Sequence, residues 1–238
     1  MLRNKLIYFL ELCLLLPFLP LLYFEGKKLR KKIIRLSPVS EYLSLPGDTN
    51  EKSILVIGES TVAGVGASEA SQSIGAHLYH HTGEKSALLN LGKNGLKASR
   101  LRSLLLHGLD KEKKVFDVVV ILIGANDCFK FTPPHKFRKA IKEFVDMLET
   151  QIGTTKIILP EIPPVHQFPA IPGLLQFFLG WHRKLLAAEL KLLAKSNTKI
   201  NLLELKHDFE PDFYAKDGIH PSDIGYNHMA KKISELFI

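Results

Sequence analysis

The stretch Ser53-Ile-Leu-Val-Ile-Gly58 is a short, uniformly apolar run that ends at a glycine. Four similar runs occur later in the chain. Apolar runs of this length are typical of strands that are covered on both faces, as the strands of a parallel sheet are. The further runs lie at residues 87–91, 115–124, 156–159 and 199–203.

Stretches with the apolar spacing of helices separate the predicted strands. Strand alternating with helix indicates βαβ units, so we expect a three-layer α/β/α sandwich around a roughly five-stranded parallel sheet. In open sheets of this kind, functional groups gather beyond the carboxyl ends of the strands. The predicted helices cover residues 71–81, 96–109, 134–151, 179–196 and 222–237.

The composition of the 238 residues, 46% hydrophobic and 24% charged, is that of one globular domain with a short extension. The net charge of +8 includes six basic residues between Lys27 and Arg35. This cluster directly follows an apolar stretch, and neither interleaved aromatic residues nor a nucleic-acid-binding motif accompanies it. The pattern predicts attraction to anionic lipid headgroups and argues against nucleic acid as a partner.

The N-terminal segment from Leu6 to Phe24 is almost uniformly apolar and is interrupted only by Glu11 and two prolines. At 1.5 Å rise per residue, about nineteen helical residues would cover roughly 28 Å, close to the hydrocarbon thickness of a bilayer. We therefore expect a membrane anchor over residues 1–26. Two alternatives stay open: a cleaved signal peptide, and a kinked, re-entrant or interfacial segment.

The basic cluster also sets the expected topology and domain boundaries. Under the positive-inside rule, six Lys and Arg residues after the apolar segment place residues 27 onward in the cytoplasm. Residues 37–52 contain Pro38, Pro46 and Gly47 and lack periodicity, so they predict a linker. We expect a basic juxtamembrane linker over residues 27–50 and a folded domain over 51–238. The oligomeric state is not indicated.

Three short segments come after predicted strands and carry groups that acyl transfer needs. Gly58-Glu-Ser60-Thr-Val-Ala-Gly64 presents a serine at a tight turn, although it is not the Gly-x-Ser-x-Gly elbow of α/β-hydrolases. Asn90-Leu-Gly-Lys-Asn-Gly95 offers a backbone N–H, and Gly124-Ala-Asn126-Asp127 offers a side-chain amide, as donors to an oxyanion. Each segment alone is equally compatible with a turn or a helix cap.

A fourth segment, Asp217-Gly-Ile-His220-Pro-Ser222, places a carboxylate three residues before an imidazole. Asp217 could accept from one ring nitrogen and leave the other free to take a serine proton. The alternative is structural, with His220 at a helix entry and Ser222 as the cap. No metal-binding or phosphate-binding motif is present, and the two cysteines, Cys13 and Cys128, indicate no disulfide framework.

The four ordered segments resemble the SGNH, or GDSL-type, hydrolase superfamily over about residues 53–238. The resemblance implies a flavodoxin-like fold with Ser60 as nucleophile, His220 as general base and Asp217 as the carboxylate that orients it. The oxyanion hole would consist of Ser60, Gly95 and Asn126. The usual Gly-Asp-Ser of the family is Gly-Glu-Ser here, which leaves the role of Glu59 open.

Large apolar residues after the fourth strand suggest where an acyl chain could bind. A proline-rich loop at residues 160–173 leads into them, and such a loop at the carboxyl edge could form a pocket wall or a lid. Packing as a satellite core is the alternative. The candidate substrate-binding residues are Phe168, Phe177, Phe178 and Trp181.

The expected activity is hydrolysis of a carboxylic ester through an acyl-Ser60 intermediate, without a metal or an organic cofactor. The membrane segment and the apolar loop favour a lipid-like substrate such as a lysophospholipid. Two alternatives remain: an esterase or transferase that acts on acetyl groups of glycans, and an inactive, membrane-tethered binding module.

Overall fold

A six-stranded sheet forms the centre of the computed structural model, which describes residues 2–48, 51–109, 115–204 and 211–237. The strands are β1 (Tyr42–Leu45), β2 (Ser53–Gly58), β3 (Ala87–Gly92), β4 (Val118–Leu122), β5 (Lys156–Pro160) and β6 (Ile200–Leu203). Their order across the sheet is β1-β3-β2-β4-β5-β6. All neighbouring strands are parallel except β1, which runs antiparallel to β3.

Helices cover both faces of this sheet. They are α1 (Leu2–Lys32), α2 (Ile74–His81), α3 (Leu101–Gly108), α4 (Ala125–Phe129), α5 (Pro134–Met147), α6 (Gly173–Ser196) and α7 (Asp223–Ser234). Apolar residues of α3, α5 and α6 pack on one face, and those of α2 and α7 pack on the other. The expected three-layer α/β/α sandwich is confirmed.

The strand residues point alternately into these two cores, because successive side chains of a strand face opposite sides. Leu55 and Ile57 of β2 contribute to the core beneath α3, α5 and α6, whereas Ile54 and Val56 contribute to the core beneath α2 and α7. All four side chains are at most 1% exposed. Burial on both faces explains why the run is continuously apolar.

Strand β1 lies within residues 27–50, which we expected to form a linker. It pairs with β3 at the edge of the sheet, and its side chains are alternately exposed and half-buried. A four-residue edge strand of this kind lacks the uniformly apolar signature of the central strands. The structure thus places part of the expected linker inside the folded domain.

Helix α1 is longer than the apolar segment that predicts it. It continues through the first six residues of the expected linker to Lys32, and Pro17 and Pro20 lie within it. It packs along α6 on the outer side of the sandwich. The N-terminal segment is therefore in contact with the domain rather than separated from it.

The close approach of β2 and β4 generates a prediction about Gly58, the last residue of β2. A Cβ atom at this position would lie 2.0 Å from the carbonyl oxygen of Leu122 on β4. We expect Gly58→Ala to lower the free energy of unfolding by on the order of 3 kcal/mol or more, because neighbouring backbone would have to move. Urea denaturation measures this loss.

Gly173→Ala is the matched control, since no atom lies within 4 Å of an added Cβ at the start of α6. The free energy of unfolding of this control should change by no more than about 1 kcal/mol. Equal losses in the two variants would contradict the close approach at Gly58.

Candidate active site

The turn after β2 presents Ser60 at the carboxyl edge of the sheet. The carbonyl oxygen of Glu59 accepts from the N–H groups of Val62 and Ala63, and that of Ser60 accepts from Val65. These bonds fold the chain back directly behind the serine. Ser60 is only 8% exposed, so its hydroxyl lies in a partly closed site.

The structure brings Ser60, His220 and Asp217 into one hydrogen-bonded chain. The Oγ atom of Ser60 lies 2.9 Å from Nε2 of His220, and Nδ1 of His220 lies 2.6 Å from Oδ2 of Asp217. A ring that donates from Nδ1 to the carboxylate leaves Nε2 as the acceptor for the serine proton. The arrangement is that of a nucleophile, a general base and an orienting carboxylate.

The carboxylate of Asp217 is held on both of its oxygens. While Oδ2 faces the imidazole, Oδ1 accepts from the backbone N–H groups of Ile219 and His220 at 3.0 Å. Burial by itself would raise the pKa of Asp217, but the hydrogen bonds from His220 and Ile219 outweigh it and lower that pKa. Asp217 therefore stays ionised and can stabilise a protonated His220.

Helix α7 holds the loop after Ser60 against the loop that carries His220. The buried hydroxyl of Tyr226 donates to the carbonyl oxygen of Val65 at 2.7 Å. Asp223 accepts from the N–H and the hydroxyl of Ser68 at 2.8 and 2.6 Å. Gly66, with φ of +101°, permits the contact, because a Cβ there would lie 2.4 Å from the carbonyl oxygen of Pro221.

Three groups are placed to serve as an oxyanion hole. Within the described residues, no protein group accepts from the backbone N–H of Ser60 or of Gly95. The side-chain amide of Asn126, at the start of α4, donates one hydrogen to Glu59, which leaves its second hydrogen for a ligand. Unused donors beside a nucleophile are what a developing oxyanion requires.

Glu59 fastens the serine turn to the start of α4. Its Oε1 accepts from the N–H of Ala125 at 2.8 Å, and its Oε2 accepts from the N–H and the side-chain amide of Asn126 at 2.9 and 2.7 Å. The side chain is buried, and this burial raises the pKa of Glu59 to about 7 despite the three hydrogen bonds. Glu59 is therefore a positioning residue for the amide of Asn126.

Asp127 connects the loop that carries Gly95 to the start of α4, which carries Asn126. Its side chain is 1% exposed, and its Oδ2 accepts from the N–H of Ala98 at 2.8 Å. Ala98 follows the loop that carries Gly95, so this bond fixes that loop relative to Asn126. Burial raises the pKa of Asp127.

A cavity of about 220 Å³ opens beside Ser60 and His220. Its walls are predominantly apolar, and among the described residues the charged or titratable groups at the cavity are Glu59, Glu161, Tyr214 and His220. The apolar residues include Leu122, Ile123, Phe129, Phe168, Phe213, Ile219 and Met229. Asn94, the residue before Gly95, also lines the cavity.

Of the four aromatic residues expected to bind substrate, the structure places only Phe168 at this cavity. Phe178 is 2% exposed and packs against Leu15 and Leu22 of α1. Phe177 and Trp181 line a different groove, between α6 and the start of α1. The expectation for these three residues is corrected: α6 begins six residues earlier than predicted and directs them towards α1.

Cys128 adjoins the oxyanion loop but is fully buried, and burial raises the pKa of its thiol far above the ordinary range. It is a packed residue. Sequence reasoning did not assign roles to Glu59, Asp127, Asp223 or Tyr226. The one available signal was that Glu59 and Asp127 lie within the motif segments and that Asp223 and Tyr226 follow the last of them, because the bonding partners of all four are distant in sequence.

The hydrogen bonds of Glu59 generate a prediction about Glu59→Gln. The amide NH₂ group of glutamine would face N–H donors, so Asn126 should shift. We expect kcat for a soluble ester to fall at least about tenfold with little change in KM, short of the roughly 10²–10³ lost with a whole donor. Steady-state kinetics measure this, with the exposed Glu235→Gln as the control expected to keep full activity.

Stability supplies a second measurement for the same variant. With its pKa raised to about 7, Glu59 keeps its proton in the folded state up to near that pH, whereas the unfolded chain releases it at a lower pH. The free energy of unfolding should therefore fall by a few kcal/mol as pH rises from about 5 to 8. Glu59→Gln should lack this loss; identical pH dependence in both proteins would contradict the assignment.

Comparison with known proteins agrees with this geometry. The profile of the GDSL-like lipase/acylhydrolase family matches residues 56–228, which include Ser60, Gly95, Asn126, Asp217 and His220. A search of the curated proteins gave no match.

Several solved structures share the fold at low sequence identity. A G-D-S-L family protein from Desulfitobacterium hafniense DCB-2 is 22% identical, with 78% of this chain and 99% of that chain covered and a TM-score of 0.63. For a lipase/acylhydrolase from Enterococcus faecalis the identity is 20%, the coverage 78% and 94%, and the TM-score 0.58. A carbohydrate acetylesterase family member from Sinorhizobium meliloti is 17% identical, with 79% of this chain and 97% of that chain covered and a TM-score of 0.57.

The family profile covers well over half of the chain and includes every segment that contributes to the hydrogen-bonded site. The structural neighbours include both lipolytic and carbohydrate-directed proteins. They support the fold and do not identify the substrate. The chain belongs to the GDSL-like lipase/acylhydrolase family.

Proposed function

We propose that this chain hydrolyses carboxylic esters with an apolar, lipid-like acyl group, through an acyl-Ser60 intermediate. The observation that carries the proposal is the Ser60–His220–Asp217 chain of hydrogen bonds, which opens into an apolar cavity. A lysophospholipid is one ester of this class.

The first half of the proposed reaction is set by the positions of the groups. Ser60 Oγ attacks the ester carbonyl carbon while its proton passes to Nε2 of His220, and Asp217 stabilises the resulting imidazolium. The carbonyl oxygen becomes negatively charged and accepts from the N–H groups of Ser60 and Gly95 and from the amide of Asn126. The tetrahedral intermediate collapses, and the leaving alkoxide takes the proton from His220.

The second half repeats these steps with water. His220 removes a proton from a water molecule, which attacks the acyl carbon, and the proton then returns to Ser60 Oγ as the carboxylic acid is released. All proton transfers use the same imidazole nitrogen. None of these steps requires a group other than the ones described.

The size of the cavity supports the proposal of an apolar acyl group with more than two carbons. Its volume of about 220 Å³ is several times the roughly 30 Å³ that one water molecule occupies in the liquid. An acetyl group would leave much of this apolar space unfilled. A carbohydrate acetylesterase activity is therefore the second candidate, and a series of esters of increasing acyl length separates it from the first.

We also propose that the chain associates with a membrane and that its catalytic domain faces the cytoplasm. In the part of the chain that the structure describes, α1 alone is long and apolar enough to cross a bilayer, with an 18-residue window of mean hydropathy 2.1. The basic cluster that begins at Lys27 supports the cytoplasmic side, where anionic lipids are enriched.

Substitution of the triad tests the mechanism. Ser60→Ala and His220→Ala should each lower kcat by on the order of 10⁶, because the triad acts as a unit, and Asp217→Ala should be milder. Ester hydrolysis under saturating substrate measures kcat, and a fluorophosphonate probe should label wild type but not Ser60→Ala. Full esterase activity in folded Ser60→Ala protein would refute the mechanism.

An acyl-length series tests the substrate class. From acetyl to octanoyl p-nitrophenyl esters, kcat/KM should rise by up to roughly fourfold per methylene until the cavity is full. Phe168→Ala enlarges the cavity and should move the optimum to longer chains. Phe177→Ala, which alters the separate groove, should leave the profile unchanged. A steep fall from acetyl to butanoyl would instead support the acetylesterase.

A further inference from the structure

Helix α1 is apolar on nearly its whole circumference, and one stripe of it contacts the domain. The residues of that stripe, Asn4, Glu11, Leu15, Leu22 and Leu29, recur at the four- and seven-residue spacing of one helix face. Asn4 and Glu11 are the two polar residues of this stripe, and their side chains are directed towards α6.

The contact between α1 and α6 includes a buried hydrogen bond between Glu11 and His182. Oε2 of Glu11 lies 2.9 Å from Nδ1 of His182, and neither side chain is exposed. The other ring nitrogen of His182 lies 3.1 Å from the carbonyl oxygen of Thr132, so both neighbours of the ring are acceptors. Removing either side chain would leave a buried polar group without its partner, which is destabilising.

Asn4 makes a second polar contact near the start of the helix. Its Nδ2 lies 2.5 Å from Oε1 of Glu189 and 3.3 Å from the carbonyl oxygen of Leu185. Glu189 is 4% exposed and also lies within 3.3 Å of Arg138. The polar contacts of Asn4 and Glu11 together fix the register of α1 on α6.

The surroundings of α6 make a transmembrane orientation of the docked helix unfavourable. Lys184, Lys191 and Lys195 line the groove beside Arg3 at the start of α1. If α1 crossed a bilayer in this arrangement, the lysines of α6 would enter the hydrocarbon with it. Insertion of each charged side chain into the hydrocarbon is strongly unfavourable.

The outer face of α1 nevertheless needs a partner. Nine large apolar side chains on it are each 45–66% exposed, far more than the surface of a soluble monomer normally carries in one patch. Cys13 is exposed on the same helix. The nine residues are Leu6, Phe9, Leu10, Leu14, Leu16, Leu19, Leu21, Tyr23 and Phe24.

Charge identifies the partner as an anionic lipid surface. Exposed basic residues flank the apolar face at both ends of the helix, and the one acidic residue beside them, Glu25, is half-buried. A second copy of the same face would bring these like charges together, whereas anionic headgroups would neutralise them. The residues are Arg3 and Lys5 at one end and Lys27, Lys28, Arg30, Lys31, Lys32 and Arg35 at the other.

We propose that α1 is a monotopic anchor, which stays docked on α6 and buries its outer face in one leaflet of an anionic membrane without crossing it. Both basic ends then lie at the headgroup level of the same leaflet. The groove of about 840 Å³ between α6 and the start of α1 extends this surface through Phe177 and Trp181 and adds the three lysines. The proposal rests on the membrane association proposed above and is independent of the acyl-Ser60 reaction.

Chemical labelling of full-length protein in sealed vesicles of phosphatidylcholine and phosphatidylserine tests the topology. In a Cys13→Ser background, Lys5→Cys and Arg35→Cys each place one thiol at an end of the basic pattern, and Cys128 stays buried. A membrane-impermeant maleimide should label both positions from the same side before detergent is added. Labelling of one end only until detergent opens the vesicles would overturn the proposal in favour of a spanning helix.

The single tryptophan tests whether α1 stays docked on the membrane. Trp181 lies in the groove lined by Arg3 and Ile7, so a nitroxide attached to Lys5→Cys should quench its fluorescence in the vesicle-bound protein. A nitroxide on Arg35→Cys, at the far end, is the control and should not. Glu11→Leu should reduce the quenching. Absence of quenching by the Lys5 label in bound protein that retains Glu11 would refute docking.

Vesicle sedimentation completes the test of the lipid-facing surface. Leu16→Asp should weaken binding at least tenfold, because Leu16 is 63% exposed on the outer face, whereas Leu106→Asp, 53% exposed on α3, should not. Hydrolysis of a soluble ester should be unchanged in both variants. Equal effects of the two substitutions, or self-association without lipid binding, would overturn the proposal even if ester hydrolysis is demonstrated.

Discussion

The geometry of the site depends on the hydrogen bonds that the carboxylate of Glu59 accepts from the start of α4. The side chain lies between the serine turn and the start of α4. It accepts three hydrogen bonds, from the backbone N–H groups of Ala125 and Asn126 and from the side-chain amide of Asn126. A buried carboxylate tolerates little displacement, because each unsatisfied oxygen would cost the full desolvation penalty. The nucleophile and one proposed oxyanion donor are thereby fixed relative to each other, before any substrate binds.

Similar bonds fix the remaining groups. Asp127 ties the Gly95 loop to α4, and Tyr226 and Asp223 tie the loop after Ser60 to α7. The residues that hold the candidate site are mostly fully buried and have distant partners in the sequence. Preorganisation of this kind allows a site that is built from loops to keep its donors aligned without reorganising during the reaction.

Much of the fold could be predicted from the sequence, because parallel strands that are buried on both faces read as continuous apolar runs, as Ser53–Gly58 does. Strand β1 could not, since it is short and half-exposed at an edge. The candidate triad and oxyanion donor could be recognised from the sequence because their motifs are local. These residues are Ser60, Asn126, Asp217 and His220. The role of Glu59 and the destinations of Phe177 and Trp181 depend on tertiary contacts that no local pattern specifies.

The helix that we assign to membrane binding and the helix that follows the catalytic loop belong to different layers of the sandwich. His220 and Asp217 precede α7, which packs on one face, whereas α1 rests on α6, which packs on the other. The hydrogen bonds that join Glu11, His182 and Thr132 are distinct from those that join the triad. Adaptation to a different membrane could therefore proceed by exchanging the outward residues of α1, while the inward residues Asn4 and Glu11 and the chemistry at the carboxyl edge of the sheet are retained.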